Sequence, residues 1–220
     1  KFLDYALIKM KTKKIFVETD EELRKEILKK LKNSKKYRAC SYTYILYWPL
    51  YSMSKFDDKL RGKEWKKLRN IKNRFYKQHK VNVVDSKKVS KEELKKILEM
   101  WLRIRRVRER VKKQYYANLI ESNFKGTDMA KTLIVDGKPC SITAGWKIPN
   151  SNNYYSHIGI LDYSHEGLGE VANIIDLKQL KRKNYEYADF GGSTKALLYF
   201  KKKFKPEKIY KTYIFSIARR

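Results

Sequence analysis

From Val81 onward the chain alternates between a two-residue and a roughly 3.6-residue apolar period, and that order of elements restricts its fold more than any other feature. Residues 81–84 are a short run of β-formers. Ser90 and Glu93 then make a capping box that opens a helix with Leu94, Ile97, Leu98, Trp101 and Ile104 as its apolar stripe. That helical region continues, strongly basic, towards Tyr116. Strand patterns follow at 132–135 and 140–148, joined by Asp136-Gly137, a pair suited to a tight hairpin because both residues accept positive φ. A strand is expected at 154–161, a helix at 170–183 after Gly167 and Gly169, a strand at 187–190, a short helix at 194–204 and a last strand at 209–217. A mixed sheet with helices on its faces is the architecture that this order allows.

The first 79 residues read as a smaller α/β lobe. Strands are expected at 5–10 and 14–18, then a helix capped by Thr19 with Glu22, its apolar face carrying Leu23, Ile27, Leu28 and Leu31. A strand at 37–48 should end at Pro49. After Gly62 comes a helix with Trp65, Leu68, Lys72 and Phe75 at helical spacing and basic residues over its other faces. Domain limits of 1–79 and 80–220 follow from this reading.

A net charge of +29 is more than solubility requires and repels itself in the folded state, which points to an anionic partner. Nucleic acid and anionic lipid both qualify; a merely solvated lysine-rich surface is the plainer reading. The two cysteines, Cys40 and Cys140, lie in strand-like stretches and show neither a disulfide framework nor zinc-ligand spacing, so no metal is expected. No apolar run approaches the roughly 20 residues of a membrane span. A cytoplasmic protein, with peripheral attachment to a membrane as a variant of that, is the resulting expectation.

Three segments carry a resemblance. Leu60-Arg61-Gly62-Lys63 with Arg69-Asn70 and Asn73-Arg74-Phe75 resembles a block of the lysyl-phosphatidylglycerol synthase C-terminal family. Gly167-Leu168-Gly169, between strand and helix, is similar to the cofactor loop of GNAT acyltransferases. Asp189-Phe190-Gly191-Gly192-Ser193 with Phe200-Lys201-Lys202-Lys203-Phe204 is similar to the ending of FemAB-type transferases. The resemblance implies a GNAT-like α+β fold. It departs from the acetyl-CoA pattern in having Ser164, His165 and Glu166 ahead of Gly167, and an acid there would repel a pyrophosphate.

The resemblance also implies roles. Lys201 would stabilise developing negative charge, Tyr199 would serve the leaving group and Asp189 would orient an acceptor amine, while Gly167, Leu168 and Gly169 would hold a donor phosphate. Each has a plain alternative: a solvated lysine in a run of three, a rim tyrosine, a turn-closing carboxylate, a simple strand-to-helix turn. His157, set in an apolar strand, reads more readily as structural than as a base. Arg69, Arg74, Arg105, Arg106 and Arg108 are candidates for an anion-binding face.

The leading functional reading is transfer of an aminoacyl group from aminoacyl-tRNA to an amine or hydroxyl acceptor, phosphatidylglycerol among them. An acyl-CoA-dependent N-acyltransferase and a non-catalytic nucleic-acid-binding protein on the same fold stand beside it. No tightly bound cofactor is expected, the donor being aminoacyl-tRNA or acyl-CoA; tRNA and an anionic membrane surface are the expected partners.

Overall fold

The computed structural model describes residues 1–105 and 113–220, and for Tyr42 and Thr43 the backbone alone. In chain order the elements are α1 (Phe2–Asp4), β1 (Lys14–Thr19), α2 (Glu21–Lys32), β2 (Tyr37–Ser52), α3 (Lys66–Gln78), β3 (Val81–Asp85), α4 (Lys91–Arg105) and α5 (Lys113–Glu121). They continue with β4 (Met129–Val135), β5 (Lys138–Lys147), β6 (Tyr154–Leu161), α6 (Leu168–Arg182), β7 (Tyr187–Asp189), α7 (Lys195–Lys201) and β8 (Lys208–Arg219). The α+β class with a mixed sheet is as the sequence implies.

Two compact units divide the chain, one made of Lys1–Pro49, Gly192–Lys202 and Lys208–Arg220, the other of Leu50–Gly191 and Lys203–Glu207. The division therefore falls at Pro49 and not at residue 79. Pairing of distant segments explains this: β1 lies antiparallel to β8 from Lys14 opposite Ala218 to Thr19 opposite Tyr213, which draws the C-terminus into the first unit. That unit closes over Leu7, Leu31, Tyr37, Phe215 and Ile217. The Tyr37 hydroxyl donates to Asp4 Oδ1 at 2.7 Å.

In the second unit β3, β4, β5 and β6 run antiparallel to their neighbours, β7 joins β6 in parallel, and Leu50–Ser52 at the end of β2 pairs antiparallel with β7. Helices α4 and α5 cover one core, in which Leu94, Leu98, Trp101 and Ile120 meet Ala130, Ile142 and Ile158. Helices α3 and α6 cover another, where Phe75, Leu168 and Val171 meet Leu133, Val135 and Cys140. Ala130 serves the first core and Leu133 and Val135 the second, as the two-residue alternation of a strand requires. The hairpin turn is as expected, with Asp136 at φ 50° and Gly137 at φ 81°.

Four expectations fail, each for a local reason. Residues 5–10 are helical: Tyr5–Lys9 forms a π-turn closed by Met10 N donating to Tyr5 O at 2.9 Å. Ala6 and Leu7 are both buried, which a strand would place on opposite faces. The cap of α2 is Asp20, whose Oδ1 accepts from Leu23 N at 2.8 Å, while Thr19 is still the last paired residue of β1. Leu23, expected on the apolar face of that helix, is half exposed. Pro49 does not end β2, because its fixed φ suits an extended chain and it lacks only the donor. Arg106 and Arg108, and the continuation of α4 through them, lie outside the described residues.

One buried pair links α6 to the sheet. Asp176 on α6 accepts from Thr143 Oγ1 at 3.0 Å, and its carboxyl is pushed up to about 6 by burial, against the opposing pull of Lys131 and the Thr143 bond. Lys131 stands opposite Thr143 in the register of β4 and β5, its Nζ buried without a hydrogen-bond partner and its pKa lowered by desolvation. A carboxyl with a raised folded-state pKa contributes stability that is complete below its ordinary value of 3.8 and lost as pH rises through about 6. Each tenfold change in proton affinity is worth about 1.4 kcal/mol, which makes the loss on the order of 3 kcal/mol. Asp176→Asn removes that dependence, so the stability difference between variant and parent, from urea denaturation, should move in the variant's favour by about that amount between pH 4 and 7.

Candidate active site

Where β6 meets β7 the sheet opens. Tyr154 pairs with Ala188 and Tyr155 with Asp189, and there β7 ends, whereas β6 continues to Leu161. The backbone of β6 beyond Tyr155 therefore has no β7 partner among the described residues. Asp189, buried, accepts from Gly191 N at 2.7 Å and so fixes the turn that carries the chain away, with Gly191 at φ 75°.

Side chains gather on this open stretch. Tyr155 and His157, two apart on one strand, point the same way, and Tyr155 Oη lies 2.9 Å from His157 Nδ1. Trp146, opposite Tyr155 in β5, packs at 5.3 Å from the Tyr155 ring and 5.6 Å from the imidazole. Tyr115 of α5 meets His157 edge-on at 6.2 Å. His157 is thus exposed and paired with a phenol, where the sequence favoured a structural strand histidine. Sequence reading passed over Tyr155 and Trp146; the signal was an aromatic pair across two adjacent strands, hidden by the irregularity between Ala144 and Trp146 that resets the register.

The loop after β6 leads into α6. Asp162 Oδ1 accepts from Ser164 N at 2.9 Å and from its hydroxyl at 2.6 Å, and Leu168 N donates to His165 O at 3.2 Å. Gly167 is the N-cap of α6 at φ 89°, and a Cβ there would stand 2.9 Å from Ile71 Cγ2, so glycine is required both by backbone and by space. The N-cap residue makes no side-chain hydrogen bond to the helix, so the first-turn N–H groups after Leu168 are not capped by it. Both acids near this end are paired: Glu166 with Arg74 at 2.5 Å, and Glu170 with Lys203 at 2.6 Å. The Arg74 pair offsets the repulsion that Glu166 alone would exert on an anion.

The other expected residues are placed as follows. Leu168 is a core side chain, so only its backbone belongs to the loop, and Gly169 O accepts from Asn173 Nδ2 at 2.7 Å. Lys201 is buried at the end of α7, and Tyr199 on the same helix is 73% exposed, in the first unit, while Asp189 and Gly167 belong to the second. Arg69 is engaged by backbone, its Nη1 donating to Leu60 O and, at 3.0 Å, to Gly62 O. Arg105 lies over the Trp101 ring at 5.5 Å. The described arginines thus have separate local duties, and Lys59, Arg61, Gly62, Lys63, Lys66 and Arg69 line a basic basin.

Comparison with known proteins supports this reading of the fold. A search of curated proteins finds no match. Among solved structures, a conserved protein of unknown function from Bacteroides thetaiotaomicron is 18% identical, with 99% of this chain and 74% of that one covered at a TM-score of 0.64. L-PGS from Bacillus licheniformis is 15% identical, with 98% and 70% covered at 0.63. A C-terminal domain assigned to a lysylphosphatidylglycerol synthetase of Agrobacterium fabrum is 15% identical, with 98% and 71% covered at 0.67. The family described as phosphatidylglycerol lysyltransferase, C-terminal, matches residues 49–216, a stretch that contains the opened strand pair, the loop before α6 and the basic basin. The chain belongs to the phosphatidylglycerol lysyltransferase C-terminal family and is an acyltransferase.

Proposed function

We propose that the protein transfers an aminoacyl group from aminoacyl-tRNA to a hydroxyl of phosphatidylglycerol, at the opening between β6 and β7. The observation that carries this reading is the parting of those strands after Tyr155 and Asp189, with the Tyr155–His157 pair standing on the opened stretch. In the reaction the acceptor oxygen attacks the ester carbonyl, the bond to the terminal ribose oxygen of the tRNA breaks, and one proton passes from acceptor to leaving group. Backbone N–H groups of β6 that β7 does not take up favour the oxyanion, and the hydrogen-bonded Tyr155–His157 pair suits the proton transfer. Trp146 and Tyr115 flank the pair and offer flat apolar surface to the acyl group. Lys201 belongs to the first unit, and a positive charge serving the reaction is proposed for it on its likeness to the FemAB-type lysine alone.

The uncapped start of α6 receives a phosphate of the donor, and the ion pairs of Glu166 and Glu170 reduce the repulsion those two acids would exert on it. Lys59, Arg61, Lys63 and Lys66 form a basin that suits a longer polyanion, and the net charge of +29 makes the approach fast. A surface this basic also favours peripheral contact with an anionic membrane, at about 1 kcal/mol per Lys or Arg near it. Among the described residues no helix is long and apolar enough to cross a membrane.

Three measurements test the proposal. Tyr155→Phe removes the hydroxyl that holds His157 and should lower kcat by about 10²-fold with an unchanged Tm; full activity would remove the pair from the reaction. Lys201→Met keeps the volume and deletes the charge, so kcat should fall by about 10² to 10³ if that charge serves the reaction, and unchanged turnover would leave Lys201 a structural residue. Affinity for tRNA should fall steeply with salt, and replacing Lys63 and Lys66 by Ala should reduce the log-log slope by about one to two. Equal slopes in parent and variant would exclude the basin as the tRNA contact.

A further inference from the structure

His79, Asp136 and His165 come from three separate parts of the second unit and converge. His79 caps the C-terminus of α3, Asp136 is the first residue of the β4–β5 turn, and His165 sits in the loop between β6 and α6. One potential ligand atom from each lies within 4.8 Å of the other two. His79 Nδ1 is 2.7 Å from Asp136 Oδ2, and the two imidazoles stand 4.7 Å apart at 82°. The chain has only 3 histidines, so the meeting of two of them beside a carboxylate uses most of its imidazole.

We propose that His79, Asp136 and His165 form a site for a divalent transition metal of the zinc, cobalt or nickel class. Two imidazoles and a carboxylate are a donor set such ions favour, whereas magnesium and calcium prefer oxygen alone. Bonds of about 2.0–2.1 Å in a tetrahedron put donors about 3.4 Å apart, so small side-chain rotations bring the three atoms to ligating distance. Between His79 and Asp136 the metal takes the place of the proton they share.

The frame is already built. Asp136 N donates to Lys80 O at 2.9 Å, Lys80 N donates back to Asp136 Oδ1 at 2.9 Å, and His79 N donates to Phe75 O at 2.9 Å. Phe75 backs both imidazoles, at 5.0 Å and 6.2 Å. Ser164 Oγ holds His165 Nδ1 at 2.6 Å, the kind of outer partner that sets the orientation of a ligating imidazole. Cys140 and Asp162 form an alternative set with His165, but the Cys140 thiol is buried and donates to Lys138 O at 3.2 Å, and Asp162 Oδ1 already accepts twice from Ser164. A metal on His165 would tie α3 and the hairpin turn to the loop that ends at Gly167, fixing the start of α6.

The test uses untagged protein, stripped with a chelator and titrated with Co²⁺. One equivalent should bind with the intense visible absorption of a four- or five-coordinate ion, and saturation should raise Tm by about 5–10 °C. His79→Gln and His165→Gln should each abolish the absorption, with chelated Tm values matching the chelated parent so that folding is not the cause, while His157→Ala should keep it. Binding unchanged in both glutamine variants, or only the weak spectrum of a six-coordinate aqua ion, overturns the proposal. A sulfur-to-metal charge-transfer band that disappears in Cys140→Ser moves the site to the Cys140, Asp162 and His165 set and overturns this assignment equally.

Discussion

Two residue pairs, Tyr154 with Ala188 and Tyr155 with Asp189, hold β7 to β6, and the proposed reaction site depends on that pairing being short. A longer parallel ladder would consume the N–H and C=O groups of β6 beyond Tyr155. What keeps it short is Asp189, whose carboxylate takes the Gly191 N–H and turns the chain at φ 75°. On its other edge β7 is secured by Leu50–Ser52, so a strand of three residues remains in place without further contact with β6. One carboxylate thus ends a strand and leaves its neighbour's backbone open.

Much of the second unit was legible in the sequence because local rules and tertiary packing agree there. The Asp136-Gly137 turn, the Ser90–Glu93 box and the 154–161 strand each obey a rule that needs no distant partner. Residues 5–10 and Pro49 misled because a short apolar run fits helix and strand alike, and because proline is barred from a strand only where its missing N–H would be used. Gly167 was legible as a glycine turn, but its second reason, the Ile71 side chain against it, comes from another helix and no local pattern holds it.

The site was less legible than the fold. Tyr155 and His157 share a face of β6 by strand alternation, but Trp146 stands opposite Tyr155 in a register that shifts between Ala144 and Trp146, and a register shift leaves no mark in composition. The same holds for His79, Asp136 and His165, whose separation in sequence defeats any spacing rule. Three of the arginines read as candidates for one anion-binding face have separate local partners: Arg69 the Gly62 carbonyl, Arg74 the Glu166 carboxylate and Arg105 the Trp101 ring.

That redistribution explains how a chain of net charge +29 keeps a workable site. At the start of α6 two cations are matched with acids, Arg74 with Glu166 and Lys203 with Glu170, which tempers the local surplus there. Part of the surplus lines the basin, at Lys59, Lys63 and Lys66, and the attraction of such surface cations is long-ranged but screened by salt. On the proposed function, capture of a large anion and its alignment at the reacting bond depend on different residues. Affinity would then change with the lysines of the basin while the geometry at Tyr155 and His157 stays fixed.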